Sequence, residues 1–418
     1  MRVAIAHYSA VNDVSGVTTW LIDLCRSLTD SGHSVYVHLH HIGKNPAKGS
    51  IIPVLQRLGV GISSRRCATT LAEDINNTLQ FLNEYKPDVF LPQCRHAHYC
   101  AAAIAGNSSL PWIYVFHSDD TDYWCVMDEL TPWKNNGEIV CVSKFIEAGV
   151  KEKYPYSSPY VIPCGVKINN TGTFYSPAFR VVYSGRFVQH QKRIHDVVKT
   201  LIHVCRLSPD TDAILLGDGS ERKYCEKMVR EAGFQNRIHF PGRVEPSEVP
   251  LILESCHAIL LMSDFEGLPV ALLEAMSQGV VPVVRRIDSG ISELVEHERT
   301  GLLVNNDPEA AAEALVRLSK DRELWSYCSE NSKMLVSENF SAEESIKRLT
   351  NLIETCGTKS EPTFPVVMTP ATVHFNLNSS ALNVQYSNVQ RTRRKYHPGA
   401  LFGNLVNRIT GAFSGGRI

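Results

Sequence analysis

The chain has 418 residues, 44% of them apolar, with 42 Lys plus Arg against 43 Asp plus Glu. That length predicts two globular units and a tail, and the balanced charge excludes a dedicated nucleic-acid binder. Twelve cysteines form no CxxC pair and sit singly, several in apolar runs such as 139–142, the pattern of reduced thiols in a cytoplasmic protein rather than of a disulfide framework or zinc site.

No apolar run approaches the roughly 18 residues of a membrane span, and the N-terminal run is too short for a signal-peptide core. Residues 2–6 read as a strand. A loop with Ser15, Gly16 and Val17 follows, then a helix with Trp20, Leu21, Leu24 and Leu28 on one face, stopped at Gly32. Segment 34–39 is strand-like, which completes a strand–helix–strand unit, the seed of a parallel sheet. Strands follow at 87–91, 112–116 and 138–142, with a small-residue helix at 98–106. Ser143 is placed to cap a helix running to about 154. Prolines 155, 159, 163 and 177 then break the pattern, so the boundary falls at about 160–178.

The second half repeats the pattern. Strands are predicted at 179–183, 213–216, 238–240, 258–262 and 280–284. Helices are predicted at 193–207, 220–232, 246–255, 269–278, 307–318 and 322–336. The units are therefore 1–165 and 178–356, each a doubly wound α/β sheet. Their ligands would bind beyond the carboxyl ends of the strands. Residues 357–418 form a tail rich at first in Thr, Ser, Asn and Pro. It ends in a basic cluster (Arg391, Arg393, Arg394, Lys395) and an apolar stretch with Leu401, Phe402, Leu405 and Ile409. Residues 391–413 suit peripheral contact with an anionic membrane; packing back on the protein is the other reading.

The sharpest motif spans 264–279. Pro269 suits the first turn of a helix and Gly279 its stop. Glu266 then sits just before the helix, beside Gly267 and Leu268, and Glu274 lies in its second turn. Both approach a helix N-terminus, which attracts phosphate, and their carboxylates can accept hydrogen bonds from sugar or ribose hydroxyls. Two such glutamates alone also fit a surface residue plus a capping residue. In 184–193, Gly185 permits a tight turn, Arg186 presents a planar fork to diphosphate oxygens, and Lys192 adds a compact charge. A solvated basic loop is the plainer alternative. Gly217, in Leu216-Gly217-Asp218-Gly219, marks a turn between strand and helix. Gly16 allows backbone N–H groups to face a phosphate, although an ordinary loop explains it as well. His117, at the carboxyl end of 112–116, is placed either to touch a transferred sugar or to sit satisfied in a loop.

Taken together, Gly185-Arg186-x5-Lys192-Arg193, Gly217-Asp218-Gly219, Pro241-Gly242, Ser263-Asp264-Phe265-Glu266-Gly267-x6-Glu274-Ala275-x3-Gly279 and Gly301-Leu302-Leu303-Val304 resemble the retaining GT-B glycosyltransferases of family four, the "group 1" transferases. The likeness is dense over 180–305, thinner over the first half through Gly16, His117, Val142 and Ser143, and does not reach the tail. It implies two Rossmann-like domains facing a cleft, an N-terminal acceptor domain and a C-terminal nucleotide-sugar domain. It also implies transfer of a hexosyl unit from a UDP- or GDP-linked donor to a glycan or lipid-linked acceptor, as in polysaccharide biosynthesis. By the resemblance, Glu266 and His117 contact the donor sugar, Glu274 the ribose hydroxyls, and Arg186 and Lys192 the leaving diphosphate, which Gly16 lets the backbone approach. Gly267, Leu268, Gly217 and Gly242 complete the donor site. No cofactor or obligate metal is implied, which agrees with the lack of an Asp-x-Asp cluster followed by histidines. The family view of retention is front-face attack, with the leaving phosphate oxygen taking the acceptor's proton and no protein nucleophile. Two departures stand out: Ser15-Gly16 where many relatives have two glycines, and Lys192 one position further from the arginine. A nucleotide-sugar epimerase or a phosphorylase is the alternative among enzymes, although nothing signals the lysine-bound pyridoxal phosphate of a glycogen-type phosphorylase; the retained Glu266, Glu274, Arg186 and Lys192 speak against a silent glycan- or protein-binding module. Loops 43–66 and 93–100 would meet the acceptor.

Overall fold

The computed structural model describes residues 1–9, 16–42, 51–130, 136–168, 172–176, 178–359 and 361–366. The first half runs β1 (Arg2–Ser9), α1 (Gly16–Asp30), β2 (Ser34–His41), α2 (Ile52–Arg57), β3 (Gly61–Arg66), α3 (Leu71–Tyr85) and β4 (Val89–Pro92). It continues through α4 (His96–Gly106), β5 (Trp112–Phe116), α5 (Thr121–Leu130), β6 (Gly137–Cys141), α6 (Lys144–Lys153) and β7 (Tyr160–Val161). The second half runs β8 (Arg180–Ser184), α7 (Gln189–Lys192), α8 (Ile194–Leu207), β9 (Asp212–Leu216), α9 (Arg222–Glu231), β10 (Ile238–Gly242) and α10 (Val249–Leu253). Then come β11 (Ala258–Leu261), α11 (Val270–Ser277), β12 (Val281–Arg285), β13 (Leu302–Val304), α12 (Pro308–Lys320), α13 (Arg322–Asn339) and α14 (Ala342–Gly357).

Two parallel sheets result, ordered β3-β2-β1-β4-β5-β6-β7 and β10-β9-β8-β11-β12-β13. This is the doubly wound architecture expected from the alternating pattern. Helices cover both faces, so central strands such as β5 are buried on both sides and read as unbroken apolar runs. Strand order reverses between β1 and β4 and between β8 and β11. The loops leaving those strands diverge and open a crevice at each switch point.

Several boundaries differ from expectation for local reasons. Arg193 takes a left-handed backbone (φ +47), so the helix predicted at 193–207 starts one residue later as α8, and the short helix α7, which was not predicted, precedes it. Pro269 stands at the N-cap of α11 rather than inside it. The helix predicted at 246–255 contracts to α10, with a proline in its first turn. Ser143 caps α6 as expected, its Oγ accepting from Ile146 N at 3.2 Å. No disulfide joins any of the twelve cysteines.

The chain crosses between halves twice. At the crossings Val166 N donates to Phe340 O and Ala342 N donates to Val166 O, both at 2.9 Å. Beyond them α14, within the segment 178–356 read as the second unit, seats on the first half. His33 Nε2 lies 2.9 Å from Glu354 Oε1, Ser27 Oγ lies 3.4 Å from Thr350 Oγ1, and Lys359 Nζ donates to Glu138 Oε1 at 2.7 Å. Among the described residues no helix is long and apolar enough to cross a membrane. The membrane contact expected of residues 391–413 lies outside the described residues, as does Ser15.

Candidate functional site

The strand ends of the second half set a row of glycines. A Cβ on Gly217 would lie 2.0 Å from Gly185 O, and its φ of +129 is one that L side chains rarely adopt. Gly217 N donates to Gly242 O at 2.8 Å, and Gly185 N donates to Leu216 O at 3.0 Å. Gly185, Gly217 and Gly242 therefore line adjacent strand ends, with Gly242 on β10, three strands from β11.

Nearer the switch point the charged groups meet. Lys192 Nζ donates to Glu266 Oε1 at 2.6 Å, and Glu266 is only 5% exposed. Arg186 is exposed at its turn and donates to Gln191 Oε1 at 2.6 Å; Gln191 Nε2 in turn reaches Phe265 O at 3.4 Å. One short chain of contacts thus joins Arg186 to the loop bearing Glu266. Behind it, Tyr183 donates to Arg186 O at 2.8 Å, and burial, reinforced by Glu266, holds its phenol well above the ordinary range. Leu268 is buried between Gly267 and the N-cap Pro269.

The two halves touch at the start of α11. A Cβ on Gly16, the first residue of α1, would lie 3.2 Å from Val270 Cγ2, and Val270 is the first residue of α11. Two helix N-termini from opposite halves therefore converge. Each carries roughly half a positive charge. Gly267 packs so closely that a Cβ there would lie 2.4 Å from His117 O, and one on Gly290 would lie 1.9 Å from Gly267 O. Across the same seam Phe145 N donates to Glu293 Oε1 at 3.0 Å. Glu274 lies one turn into α11, part-buried. Its carboxyl has no ion-pair or hydrogen-bond partner among the described residues, and burial lifts it to about 7.

His117 follows β5. Its ring meets Trp20 edge-on at 4.9 Å, and its Nε2 lies 2.9 Å from Gln93 Oε1. Burial, with His7 nearby, lowers its pKa to about 3, so the imidazole is neutral at pH 7. His7, at the end of β1, is likewise lowered to about 4 by burial. The structure thus gathers Gly16, His117, Lys192, Glu266, Gly267 and the start of α11 at one seam, with Arg186 linked through Gln191. Gly217 and Gly242 lie along the neighbouring strand ends. Sequence reasoning missed Gln93, Val270, Gly290 and Glu293. Ser289-Gly290, a small-residue pair just after a strand, was a readable sign; Gln93 had none. Among the described residues no cluster of three or more His, Cys, Asp or Glu is placed to hold a metal.

Comparison with known proteins covers both halves. Residues 14–170 match the family model Glycosyltransferase Family 4, and residues 168–334 match Glycosyl transferases group 1. The chain is 30% identical to N-acetyl-alpha-D-glucosaminyl L-malate synthase of Bacillus anthracis over 158 residues, 38% of this chain and 40% of that enzyme. It is 20% identical to alpha-monoglucosyldiacylglycerol synthase of Acholeplasma laidlawii over 380 residues, 80% of this chain and 92% of the relative. The relatives matched at 30% identity or more are thus spanned over only about two fifths of their length or less. In fold, the chain superposes on Anabaena Alr3699/HepE in complex with UDP and glucose with a TM-score of 0.69 at 18% identity, covering 85% of this chain and all of that one. Sucrose-phosphate synthase from Thermosynechococcus elongatus gives 0.68 at 17% identity, covering 86% of this chain and all of the synthase.

Proposed function

Because this chain belongs to the group 1 glycosyltransferases of GT-B fold, we propose that it is a retaining hexosyltransferase. In this reading it moves a hexosyl unit from a nucleoside-diphosphate sugar to a glycan or lipid-linked acceptor. UDP is the favoured carrier, since the structure of Alr3699/HepE is a complex with UDP and glucose; GDP is the alternative. The lipid-linked acceptor draws support from the name of the Acholeplasma relative. The observation that carries the proposal is the meeting of α1 and α11, Gly16 against Val270, beside the Lys192–Glu266 pair.

A diphosphate set between two helix N-termini can accept hydrogen bonds from first-turn N–H groups and is favoured by both dipoles. Lys192 and Arg186 add charge where negative charge grows on the leaving oxygen, which stabilises the transition state more than the ground state. No metal is required by this account. Glu266 faces the sugar carbon that develops positive charge, and Lys192 keeps its carboxylate in place. Glu274 accepts from the ribose hydroxyls. The acceptor attacks the face the diphosphate leaves, and a departing phosphate oxygen takes its proton, so configuration is retained without a protein nucleophile.

The test is a screen of UDP- and GDP-sugars for thermal stabilisation and for hydrolysis or transfer, with Glu266→Gln beside the parent. The variant is expected to lose about 100-fold or more in turnover while binding UDP as the parent does. A Glu266→Gln protein that transfers sugar at the parental rate removes the assignment.

A further inference from the structure

Gln93 carries no motif, yet it is fully buried and tied down on three sides. Its main-chain N–H donates to Ala6 O at 2.8 Å, within β1. Its carbonyl lies 2.6 Å from His98 Nδ1, and His98 Nε2 lies 2.7 Å from His40 Nδ1. Proton positions along this chain follow from its end. A carbonyl can only accept, so His98 Nδ1 carries the proton, and the neutral ring then accepts at Nε2 from His40 Nδ1–H. The backbone of Gln93 is thereby held, and its side-chain oxygen is set 2.9 Å from His117 Nε2. The amide is oriented with its oxygen toward the ring and its own Nε2 buried without a partner among the described residues, and in that orientation the ring's Nε2 is the protonated nitrogen. Nδ1 is left as a lone pair to which no described residue donates, on the residue whose main chain packs against Gly267.

We propose that Gln93 is a positioning residue. It locks His117 in the Nε2–H tautomer, so that Nδ1 serves as an acceptor for a hydroxyl of the transferred sugar. The inference rests on the reading that His117 contacts that sugar. The selectivity it implies is for donors with a free hydroxyl at that point; deoxygenated or ether-blocked sugars would be rejected.

The tautomer is read directly by ¹⁵N-histidine NMR of the full chain, with a His117→Gln spectrum to assign the signal. The expected result is a protonated Nε2 and an unprotonated Nδ1. Gln93→Met keeps the volume and removes the acceptor. It is expected to bind UDP as the parent does, to lose the fixed tautomer, and to lose about tenfold or more in kcat/KM with UDP-glucose. Gln93→Glu, which restores an acceptor oxygen, is expected to recover most of that loss. An Nδ1–H tautomer in the parent, or a folded Gln93→Met protein at the parental rate, overturns the proposal. A parent that binds no UDP- or GDP-linked sugar defeats the functional reading instead, and the parental spectrum still decides the role of Gln93. The same spectrum decides should Gln93→Met fail to fold.

Discussion

Glu274 yields a quantitative expectation. Burial raises its carboxyl from an ordinary 4.5 to about 7. To accept from ribose hydroxyls it must be ionised, so nucleotide binding and deprotonation are linked. With that pKa the competent fraction is about one tenth at pH 6 and about nine tenths at pH 8. Apparent affinity scales with the competent fraction, so UDP should bind about tenfold more tightly at pH 8 than at pH 6, levelling off above. The sign is fixed by the direction of the shift: the raised folded pKa suppresses binding on the acid side, and alkalinity restores it. Isothermal titration at pH 6, 7 and 8 gives the affinities, and buffers of different ionisation enthalpy count the protons released. Glu274→Gln is the control, because the terminal phosphate of UDP also titrates near pH 6 and appears in both proteins. The parent-to-variant ratio isolates Glu274. A ratio constant within about twofold across this range refutes the linkage.

Two further perturbations probe the seam and its support. A methyl group at Gly267 meets main-chain atoms of His117 and Ser118 at 2.4 and 2.8 Å, none of which is the end of a flexible side chain. Gly267→Ala should therefore hold the halves apart and cost about 100-fold in kcat/KM, with a thermal midpoint close to the parent's; parental kinetics would show that the contact is dispensable. Ile353 is fully buried in α14. Ile353→Ala should cost about 2–5 kcal/mol in denaturant unfolding, and a loss under about 1 kcal/mol would show that α14 adds little to the first half.

Much of this arrangement was readable from residue order because the physics is local. Residues Trp112–Phe116 lie at the centre of a parallel sheet, so both faces demand apolar side chains and the run stands out. Gly279 closes α11 with φ +78, and a residue with a Cβ would be strained there. Other elements hid for definable reasons. Strand β3 is an edge strand of Gly, Ser and Arg around a single isoleucine, with no buried positions and so no apolar alternation. Helix α3 did leave a sign: Thr70 stands three residues before Glu73, and its Oγ1 accepts from Glu73 N at 3.3 Å. Gln93 and His117 are distant in sequence and meet only because β4 pairs with β5. The stripe of Ile346, Leu349 and Ile353 on α14 tells that something covers it, while the covering half is decided by where the chain crosses back.

That double crossing shapes how the crevice can open. Residues 163–166 and 340–345 run side by side and are bonded to each other: Val166 bridges Ser341, Ser345 Oγ donates to Pro163 O, and Gly165 leaves no room for a side chain against Ser341. A single connecting strand would let one half swivel freely. Two strands laced together act as a strap hinge, resisting twist and permitting bending about one line. The Gly16–Val270 contact is made by neither crossing segment, so the halves can part there while the bonds that lace 163–166 to 340–345 stay made.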